Sequence, residues 1–244
     1  MATFKLTIEY DGTAYSGWQR QPDQPTIQAA VEVALRHVTQ IYIPVIGAGR
    51  TDAGVHALGQ VASFRTDRTM SAEEWVRALN ALLPADISVR SVEPAADDFH
   101  ARYSARGKLY EYRTLNRAER SALDHHRAWH IRKPLDTAAM REGAGLLAGR
   151  HDFSSFQGSP TDNENPICDL RRLEIKQEQA LLRIEAQADR FLKQMVRAIV
   201  GTLVEVGQGK RSPKSVKEIL EARDRRAAGM TAPAHGLYLV RVDY

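Results

Sequence analysis

The first part of the chain alternates between strand-like and helix-like hydrophobic patterns. Apolar and polar side chains alternate over residues 3–10, which is typical of a half-buried strand. Thr26 stands directly before a stripe of apolar residues at helical spacing, so we expect it to cap a helix. Within that helix, Glu32 and Arg36 are spaced for an ion pair one turn apart. This stretch therefore predicts a strand followed by an amphipathic helix.

A second helix and three more strands are predicted before residue 100. Ser71 and Glu74 form a capping box, and the helix that follows places Leu82 on its apolar face. Apolar, β-branched runs predict the strands at residues 41–46, 61–64 and 87–92. The predicted order is β-α-β-β-α-β, which is the ferredoxin-like pattern.

The second part of the chain predicts a similar series. A helix is expected from Asp136, its cap, to Gly149, its stop. Residues 116–133 are charged and show no period. Strands are predicted at residues 108–115, 168–176, 180–188 and 237–242, and helices at residues 191–206 and after Ser212-Pro213. The expected fold class is α+β, with two ferredoxin-like or RRM-like halves at residues 1–104 and 105–244.

Composition limits the class of protein. None of the apolar runs in these 244 residues approaches the roughly 18 residues of a membrane span, and residues 1–5 lack a signal-peptide pattern. Cys168 is the single cysteine, which excludes an internal disulfide and a cysteine-based zinc site within one chain. These features predict a cytoplasmic protein. The net charge is +4, with 26 arginines and 8 lysines; this composition suits nucleic acid and equally a GC-rich genome.

The loop at residues 47–56 is the strongest candidate for chemistry. Its three glycines surround a charged pair, Arg50 and Asp52, that hydrophobic periodicity does not explain. No Gly-Lys-Ser/Thr follows, so it is not a P-loop, and Asp52 occupies the place of the third glycine of a dinucleotide fingerprint. Asp52 and His56 lack further nearby metal ligands. A second histidine cluster (His125, His126 and His130) is predicted to be solvated or structural.

Asp52 has two interpretations. An ionised aspartate can act as a nucleophile without a cofactor, and a neighbouring guanidinium keeps such a carboxylate charged. Alternatively, Asp52 is a turn residue that bonds its own backbone, since residues 51–54 suit a turn. The residues alone leave both interpretations open.

Several blocks of sequence resemble the tRNA pseudouridine synthase A family. The central block is Gly49-Arg50-Thr51-Asp52-Ala53-Gly54-Val55-His56-Ala57. Others, in the same order as in the family, are Glu9-Tyr10-Asp11-Gly12, Gly17-Trp18-Gln19-Arg20-Gln21, Asp98-Phe99-His100-Ala101-Arg102, Tyr110-x-Tyr112, Asp152-Phe153-Ser154-Ser155-Phe156, Met195-Val196-Arg197 and Gly236-Leu237-Tyr238-Leu239. Residues 116–133 resemble the family least.

This resemblance implies an isomerase that converts uridine to pseudouridine at positions 38, 39 and 40 in the anticodon stem-loop of tRNA. It implies the pseudouridine-synthase fold, with a largely antiparallel sheet and a central cleft. It also implies a homodimer that uses no cofactor and no metal. The lack of a long apolar run separately predicts that the protein does not associate with a membrane.

The resemblance also assigns roles to residues. Asp52 is the expected nucleophile; attack on C1′, attack on C6 and removal of a 2′ proton all stay open. Tyr110 is expected to stack on the target base, whereas Tyr112 is expected to be an ordinary half-buried sheet tyrosine. Arg197 is the candidate partner of Asp52; the alternative is a solvated basic helix face that it shares with Arg190 and Lys193.

Arg50 has a less defined role than Asp52. It is expected to extrude the base or bind a phosphate, or else to bond the loop backbone. Thr51 and His56 are expected to shape the loop. Arg20, Arg102 and the cationic run at residues 223–226 are candidate RNA contacts or plain solvated surface.

Two rival functions are compatible with parts of the sequence. Glu9-Tyr10-Asp11-Gly12-Thr13 is one change from the Asp-x-Asp-Gly-Thr signature of haloacid dehalogenase phosphatases, but Glu9 replaces the aspartate nucleophile. That enzyme class also requires a parallel sheet, which the predicted strand order lacks. A non-catalytic RNA-binding module is the second rival, since ferredoxin-like halves can hold RNA on their sheets. The Asp52 loop favours an enzyme.

Overall fold

The computed structural model describes residues 1–160 and 165–244. The chain forms two compact units, of which the first comprises residues 1–106 and 238–244 and the second residues 107–237. The end of the chain therefore belongs to the first unit. In the described ranges, no helix has both the length and the apolar character needed to cross a bilayer.

The main elements follow in chain order. They are β1 (Ala2–Tyr10), α1 (Ile27–Thr39), β2 (Ile46–Gly47), β3 (His56–Thr66), α2 (Ala72–Asn80), β4 (Ile87–Ala95), β5 (Gly107–Asn116), β6 (Trp129–Ile131), α3 (Thr137–Gly145), β7 (Gly149–Asp152), β8 (Ile167–Glu178), β9 (Leu181–Ala188), α4 (Met195–Gly207), α5 (Ser215–Ala222) and β10 (Leu237–Asp243). Two short 3-10 turns lie at Ser154–Phe156 and Ala234–Gly236.

The sheet of the first unit is built around β1. This strand pairs antiparallel with β3 on one side and with β4 on the other. Its inward side chains, from Phe4 to Tyr10, are buried, and Phe4 stacks on Phe64 of β3 at 5.3 Å between ring centroids. Trp75 of α2 packs its ring edge against Phe64 and closes this part of the core.

Two strands share the outer edge of β3. The short β2 pairs antiparallel with residues Ala62 and Ser63, whereas β10 pairs in parallel with His56 and Ala57. The order β4-β1-β3 with β2 beside β3 is the ferredoxin-like arrangement that the sequence predicted. The parallel addition of β10 at the start of β3 was not predicted.

Most elements predicted for the first unit are confirmed, but the extent of one strand and the place of one helix residue are wrong. Thr26 caps α1, and Ser71 and Glu74 form the expected capping box of α2. The strand expected at residues 41–46 is reduced to the two residues of β2. Leu82 lies beyond the end of α2 and is exposed, because the helix ends at Asn80.

The second unit is a sheet with helices packed on it. The strand order is β5-β9-β8-β7, with antiparallel pairing throughout, and β6 runs parallel beside the end of β5. Helix α4 is the core of the unit, since nearly all of its residues are buried. Helix α3 packs on α4 and on β8, and α5 packs on α3. The α+β class with mainly antiparallel pairing is thus confirmed.

Several element boundaries in the second unit differ from the predictions. Helix α3 ends at Gly145, and Gly149 begins β7 with a positive φ of 107° instead of stopping the helix. Helix α4 begins at Met195 rather than at residue 191, because Gln194 adopts a left-handed conformation. Helix α5 begins at Ser215, after a turn in which the Ser212 hydroxyl accepts from the Ser215 N–H.

Candidate active site

Asp52 lies in a tight turn between β2 and β3. The Val55 N–H donates to the Asp52 carbonyl at 3.2 Å, and Gly54 provides the positive φ of 76° that the turn requires. The hydrogen bond that closes the turn joins backbone atoms, so it uses the carbonyl of Asp52 rather than its carboxylate. The side chain of Asp52 is half-buried. The backbone of Asp52 therefore forms the turn that residues 51–54 predicted.

The segment after β1 packs directly on this turn. Gly17 has a φ of 94°, and a Cβ on it would lie 2.5 Å from the Thr51 carbonyl oxygen. The next residue, Trp18, donates its N–H to the same carbonyl at 3.1 Å. The Gly54 N–H donates to the Tyr15 carbonyl at 3.3 Å. Backbone contacts from this segment to Thr51 and Gly54 thus fix the position of Asp52 between them.

The side chain of Thr51 ties the loop to β1. Its hydroxyl lies 2.8 Å from the Tyr10 hydroxyl, and both side chains are buried. Burial raises the pKa of Tyr10 to about 12, so this phenol stays protonated and neutral at physiological pH. The side chain of Gln60 donates to the Gly49 carbonyl at 3.0 Å. The loop is thus tied to β1 and β3.

His56 is a structural residue in this unit. Its Nδ1 accepts the Gly12 N–H at 3.0 Å and lies 3.2 Å from Oδ1 of Asp11. The ring is buried and stacks on Tyr238 at 4.7 Å between centroids. Among the described residues, no three His, Cys, Asp or Glu side chains are grouped to hold a metal ion.

Arg50 is exposed but held by a row of side chains, which we call the glutamine relay (Gln19, Gln28 and Glu32). Arg50 Nε donates to Gln19 Oε1 at 3.1 Å, and Gln19 Nε2 donates to Gln28 Oε1 at 2.8 Å. Gln28 Nε2 donates to Glu32 Oε1 at 3.0 Å. The side-chain amide of Gln28 thus orients that of Gln19, and the buried carboxylate of Glu32 orients that of Gln28.

The glutamine relay corrects a sequence prediction. Glu32 does not pair with Arg36 but turns inward, where it accepts from Arg20 at 3.0 Å and from the Val45 N–H at 3.2 Å. The sequence signal for it was the polar run Gln19-Arg20-Gln21 after Trp18, whose partners on α1 could not be identified without the fold.

Tyr110 lies in the second unit, on β5. It is buried, and Ala186, a small residue, stands opposite it on β9. The edge of its ring meets Phe191 at 5.1 Å between centroids and an interplanar angle of 85°. A T-shaped contact of this kind fixes the orientation of the ring. Tyr112, two residues further on, is fully buried rather than half-buried as expected, and donates its hydroxyl to the Pro233 carbonyl at 2.8 Å.

Arg197 lies in the first turn of α4. Its Nε donates to the Ala232 carbonyl at 2.8 Å, and its own carbonyl accepts the Ala232 N–H at 3.0 Å. This reciprocal pair holds the Arg197 side chain against the segment that precedes β10. The predicted helix face shared by Arg190, Lys193 and Arg197 is wrong, because the first two residues precede the helix.

Most of the cationic side chains considered as RNA contacts are engaged within the protein. Arg20 donates to the carboxylate at the end of the glutamine relay, and Arg226 pairs with Asp224 at 2.8 Å. Arg225 donates to the Gly229 carbonyl and to the Thr231 hydroxyl. The Arg102 guanidinium lies 5.7 Å from the centre of a tyrosine ring.

The first unit also bears on the phosphatase alternative. Glu9 pairs with Arg90 on a half-exposed face, and its strand β1 has antiparallel neighbours on both sides. A phosphatase of that class needs an aspartate at the end of a parallel strand. The alternative is therefore wrong.

The candidate residues are divided between the two units. Asp52 and Arg50 belong to the first, and Tyr110 and Arg197 belong to the second. Within the first unit, the structure connects Arg50 and Asp52 through one short loop. Within the second, Arg197 and Tyr112 bond the adjacent carbonyls of Ala232 and Pro233.

Comparison with known proteins identifies the family. The model of the family described as tRNA pseudouridine synthase matches residues 6–104 and 144–244. A protein of Clostridium perfringens called tRNA pseudouridine synthase A 2 is 43% identical over 100% of both chains. Proteins called tRNA pseudouridine synthase A are 44% identical in Acetivibrio thermocellus, over 100% of both chains, and 48% identical in Geobacillus kaustophilus, over 98% of this chain and 93% of the relative. The chain belongs to the tRNA pseudouridine synthase family.

Proposed function

We propose that this protein converts uridine to pseudouridine at positions 38, 39 and 40 in the anticodon stem-loop of tRNA, with Asp52 as the catalytic carboxylate. Membership of the family supplies the reaction, since its members are tRNA-modifying isomerases. The observation that carries the role of Asp52 is the turn itself. Backbone contacts to Thr51 and Gly54, the residues that flank this turn, hold the half-buried Asp52 at a defined position in the loop.

The reaction is balanced within the uridine itself. The bond between C1′ and N1 breaks, the uracil turns, and a bond between C1′ and C5 forms; C5 loses a proton and N1 gains one. An ionised carboxylate can serve by attacking C1′, by attacking C6 or by taking the 2′ proton. Each route needs Asp52 deprotonated and close to the target nucleotide.

Tyr110 is proposed to hold the flipped base. Removing a base from its stack costs a few kcal/mol, and stacking on an aromatic ring returns about 1–3 kcal/mol. The T-shaped contact with Phe191 fixes the Tyr110 ring before RNA arrives. A ring held in this way loses little freedom on binding.

Arg197 and Arg50 are each proposed to have a separate role in the site. Arg197 is assigned as the cation that keeps the Asp52 carboxylate ionised, and Arg50 as the residue that enters the space of the extruded base or binds the adjacent phosphate. The glutamine relay supports the role of Arg50, because it holds Nε of a side chain that is otherwise exposed.

The assembly and location are also proposals. The protein is assigned as a homodimer that acts in the cytoplasm, where tRNA is modified, and away from membranes. Its mass in solution by light scattering tests the dimer. A monomeric mass at catalytic concentrations would rule it out.

The decisive experiment compares Asp52→Asn with the wild type. Unmodified tRNA is incubated with each protein in the presence of a chelator, and pseudouridine and RNA binding are both measured. We expect the variant to form product at least about 10⁴-fold more slowly than the wild type and to bind RNA normally. Asp67→Asn, which changes an exposed carboxylate outside the blocks that resemble the family, is the matched control and should stay active.

The same experiment distinguishes the proposed enzyme from a non-catalytic RNA-binding module. RNA binding without product in the wild type would favour a binding module. Substantial product from Asp52→Asn would remove Asp52 from its catalytic role.

A further inference from the structure

The segment that follows β5 carries an unusually high positive charge. Residues 117–133, which we call the basic loop and which include β6, contain five arginine or lysine residues and two acids. The net charge of this short segment is therefore +3, whereas that of the whole chain is +4. The basic loop also lies between the two ranges that the family model matches.

Four of the five cations of the basic loop are exposed and form no ion pair with the described residues. Arg117, Arg120, Arg132 and Lys133 are all exposed, and within the part of the chain that the structure describes none of them forms an ion pair. Arginines on the nearby strands behave differently, since Arg113 and Arg183 both pair with Glu111. The positive potential of the loop is thus available to a partner.

Both ends of the basic loop are anchored. Its last strand, β6, pairs in parallel with the end of β5 and brings Ile131 opposite Asn116. Asn116 Nδ2 donates to the carbonyls of Ile131 and Lys133, at 2.8 and 2.7 Å, and its Oδ1 accepts the Leu135 N–H. One side chain therefore closes the base of the loop, as in an Ω-loop.

The interior of the basic loop is ordered by its own polar groups. His130 Nε2 bonds the Arg117 carbonyl at 2.9 Å. The carboxylate of Asp124 accepts a hydrogen bond from the Ser121 hydroxyl at 2.8 Å, so this acidic group has a partner within the loop. The Arg127 N–H donates to the Asp124 carbonyl at 2.9 Å. A loop fixed in this way pays little conformational entropy when it binds.

The chemistry of this surface suits phosphate groups. Arginine offers a planar fork for phosphate oxygens, and lysine a mobile point charge. A protein interface would have an apolar or aromatic centre, but the one large apolar side chain exposed on the described loop is Leu123. We propose that the basic loop binds the sugar-phosphate backbone of the tRNA substrate. This inference rests on the proposed function.

The loop is expected to contact the RNA away from the target base. Tyr110 and Asn116 are six residues apart on β5, which corresponds to about 20 Å along a strand. The basic loop therefore serves affinity rather than the chemical step. Its loss should raise KM and lower kcat/KM, with the single-turnover rate at saturating RNA close to that of wild type.

The test is a triple variant, Arg120→Ala/Arg132→Ala/Lys133→Ala. Binding of unmodified tRNA is measured between 50 and 300 mM salt. We expect roughly 10- to 100-fold weaker binding and a fall of about 2–3 in the slope of log K against log salt, as for the loss of three phosphate contacts. The matched control is Arg36→Ala/Arg68→Ala/Lys210→Ala, which removes the same charge from exposed positions elsewhere and should keep the wild-type slope.

Four outcomes would overturn the inference. They are an unchanged salt slope, an equal loss in the control, a fall in the single-turnover rate at saturating RNA, and a change in the mass of the protein that reveals an interface between copies. Asp52→Asn separates this result from the proposed function, because its basic loop is intact. If the wild type makes no pseudouridine while the triple variant still loses RNA affinity, the proposed function fails and the inference stands.

Discussion

At the scale of single residues, Tyr110 is the clearest test of base stacking. Tyr110→Phe keeps the ring and its contact with Phe191, so the variant should retain the stacking contribution. Tyr110→Leu fills part of the space but removes the aromatic face, and kcat/KM should fall about 5- to 150-fold, the equivalent of 1–3 kcal/mol. Thermal unfolding of both variants controls for packing. A leucine variant as active as wild type would exclude Tyr110 from the site.

Arg197 can be tested through the pH dependence of the reaction. Arg197→Met keeps the apolar stem and removes the charge, so ionisation of the catalytic carboxylate should need a higher pH. Activity relative to wild type should therefore be lowest at acid pH and recover as the pH rises. Arg197→Lys, which retains a cation, should follow the wild-type profile more closely. A ratio of rates that stays constant from pH 5 to 8 would argue against a role in ionisation.

At the scale of elements, Gly17 tests how the segment after β1 holds the catalytic turn. Gly17→Ala forces a side chain into a φ of 94° and places Cβ 2.5 Å from the Thr51 carbonyl, so the turn must move. We expect a loss of about 1–3 kcal/mol in stability and at least a tenfold loss of activity. Urea unfolding and initial rates measure the two effects.

The control for Gly17 lies at the end of α3. A Cβ on Gly145 would have no heavy atom within 4 Å, and its φ is not positive. Gly145→Ala should therefore leave activity unchanged and alter stability by no more than about 1 kcal/mol. Equal effects of the two substitutions would show that Gly17 does not position the turn.

Local signals explain which elements were predictable from the sequence. Thr26, Ser71 and Asp136 cap helices through bonds to residues two or three positions away, so the sequence contains the whole interaction. The start of α4 depends on tertiary contacts, since the Gly158 N–H bonds the Lys193 carbonyl just before the helix. Such a contact has no local signature.

The same distinction applies to the candidate site. The motif around Asp52 is contiguous, and the sequence therefore identified it. The glutamine relay joins Gln19 to Gln28 and Glu32, which become neighbours only when α1 packs beside the loop. Likewise, β10 pairs with the start of β3 across almost two hundred residues of sequence, and such a pairing has no local signature.

At the scale of the whole molecule, buried tyrosine hydroxyls and one buried thiol make the stability of the fold depend on pH in the alkaline range. Burial raises the pKa of Tyr10 from 10.0 to about 12 and that of Cys168 from 9.0 to about 11. It also raises the pKa values of three other tyrosines above their usual range, namely Tyr15, Tyr112 and Tyr244. The folded protein thus keeps protons that the unfolded chain releases from about pH 9 upward. Because the unfolded state binds fewer protons there, stability should fall as the pH rises from about 9 to 12.

Urea unfolding between pH 8 and 11.5, together with tyrosinate absorbance, measures this linkage. We expect a midpoint that falls steadily above pH 9, and a fraction of the eight tyrosines that ionises only as the fold is lost. Tyr10→Phe makes the test specific. The variant should be less stable near neutral pH, because it loses the bond to Thr51, but its stability should fall less steeply between pH 10 and 12. The two effects have opposite signs, so the stabilities of the variant and the wild type should converge as the pH rises. Parallel curves would show that the Tyr10 proton does not contribute to the alkaline loss of stability.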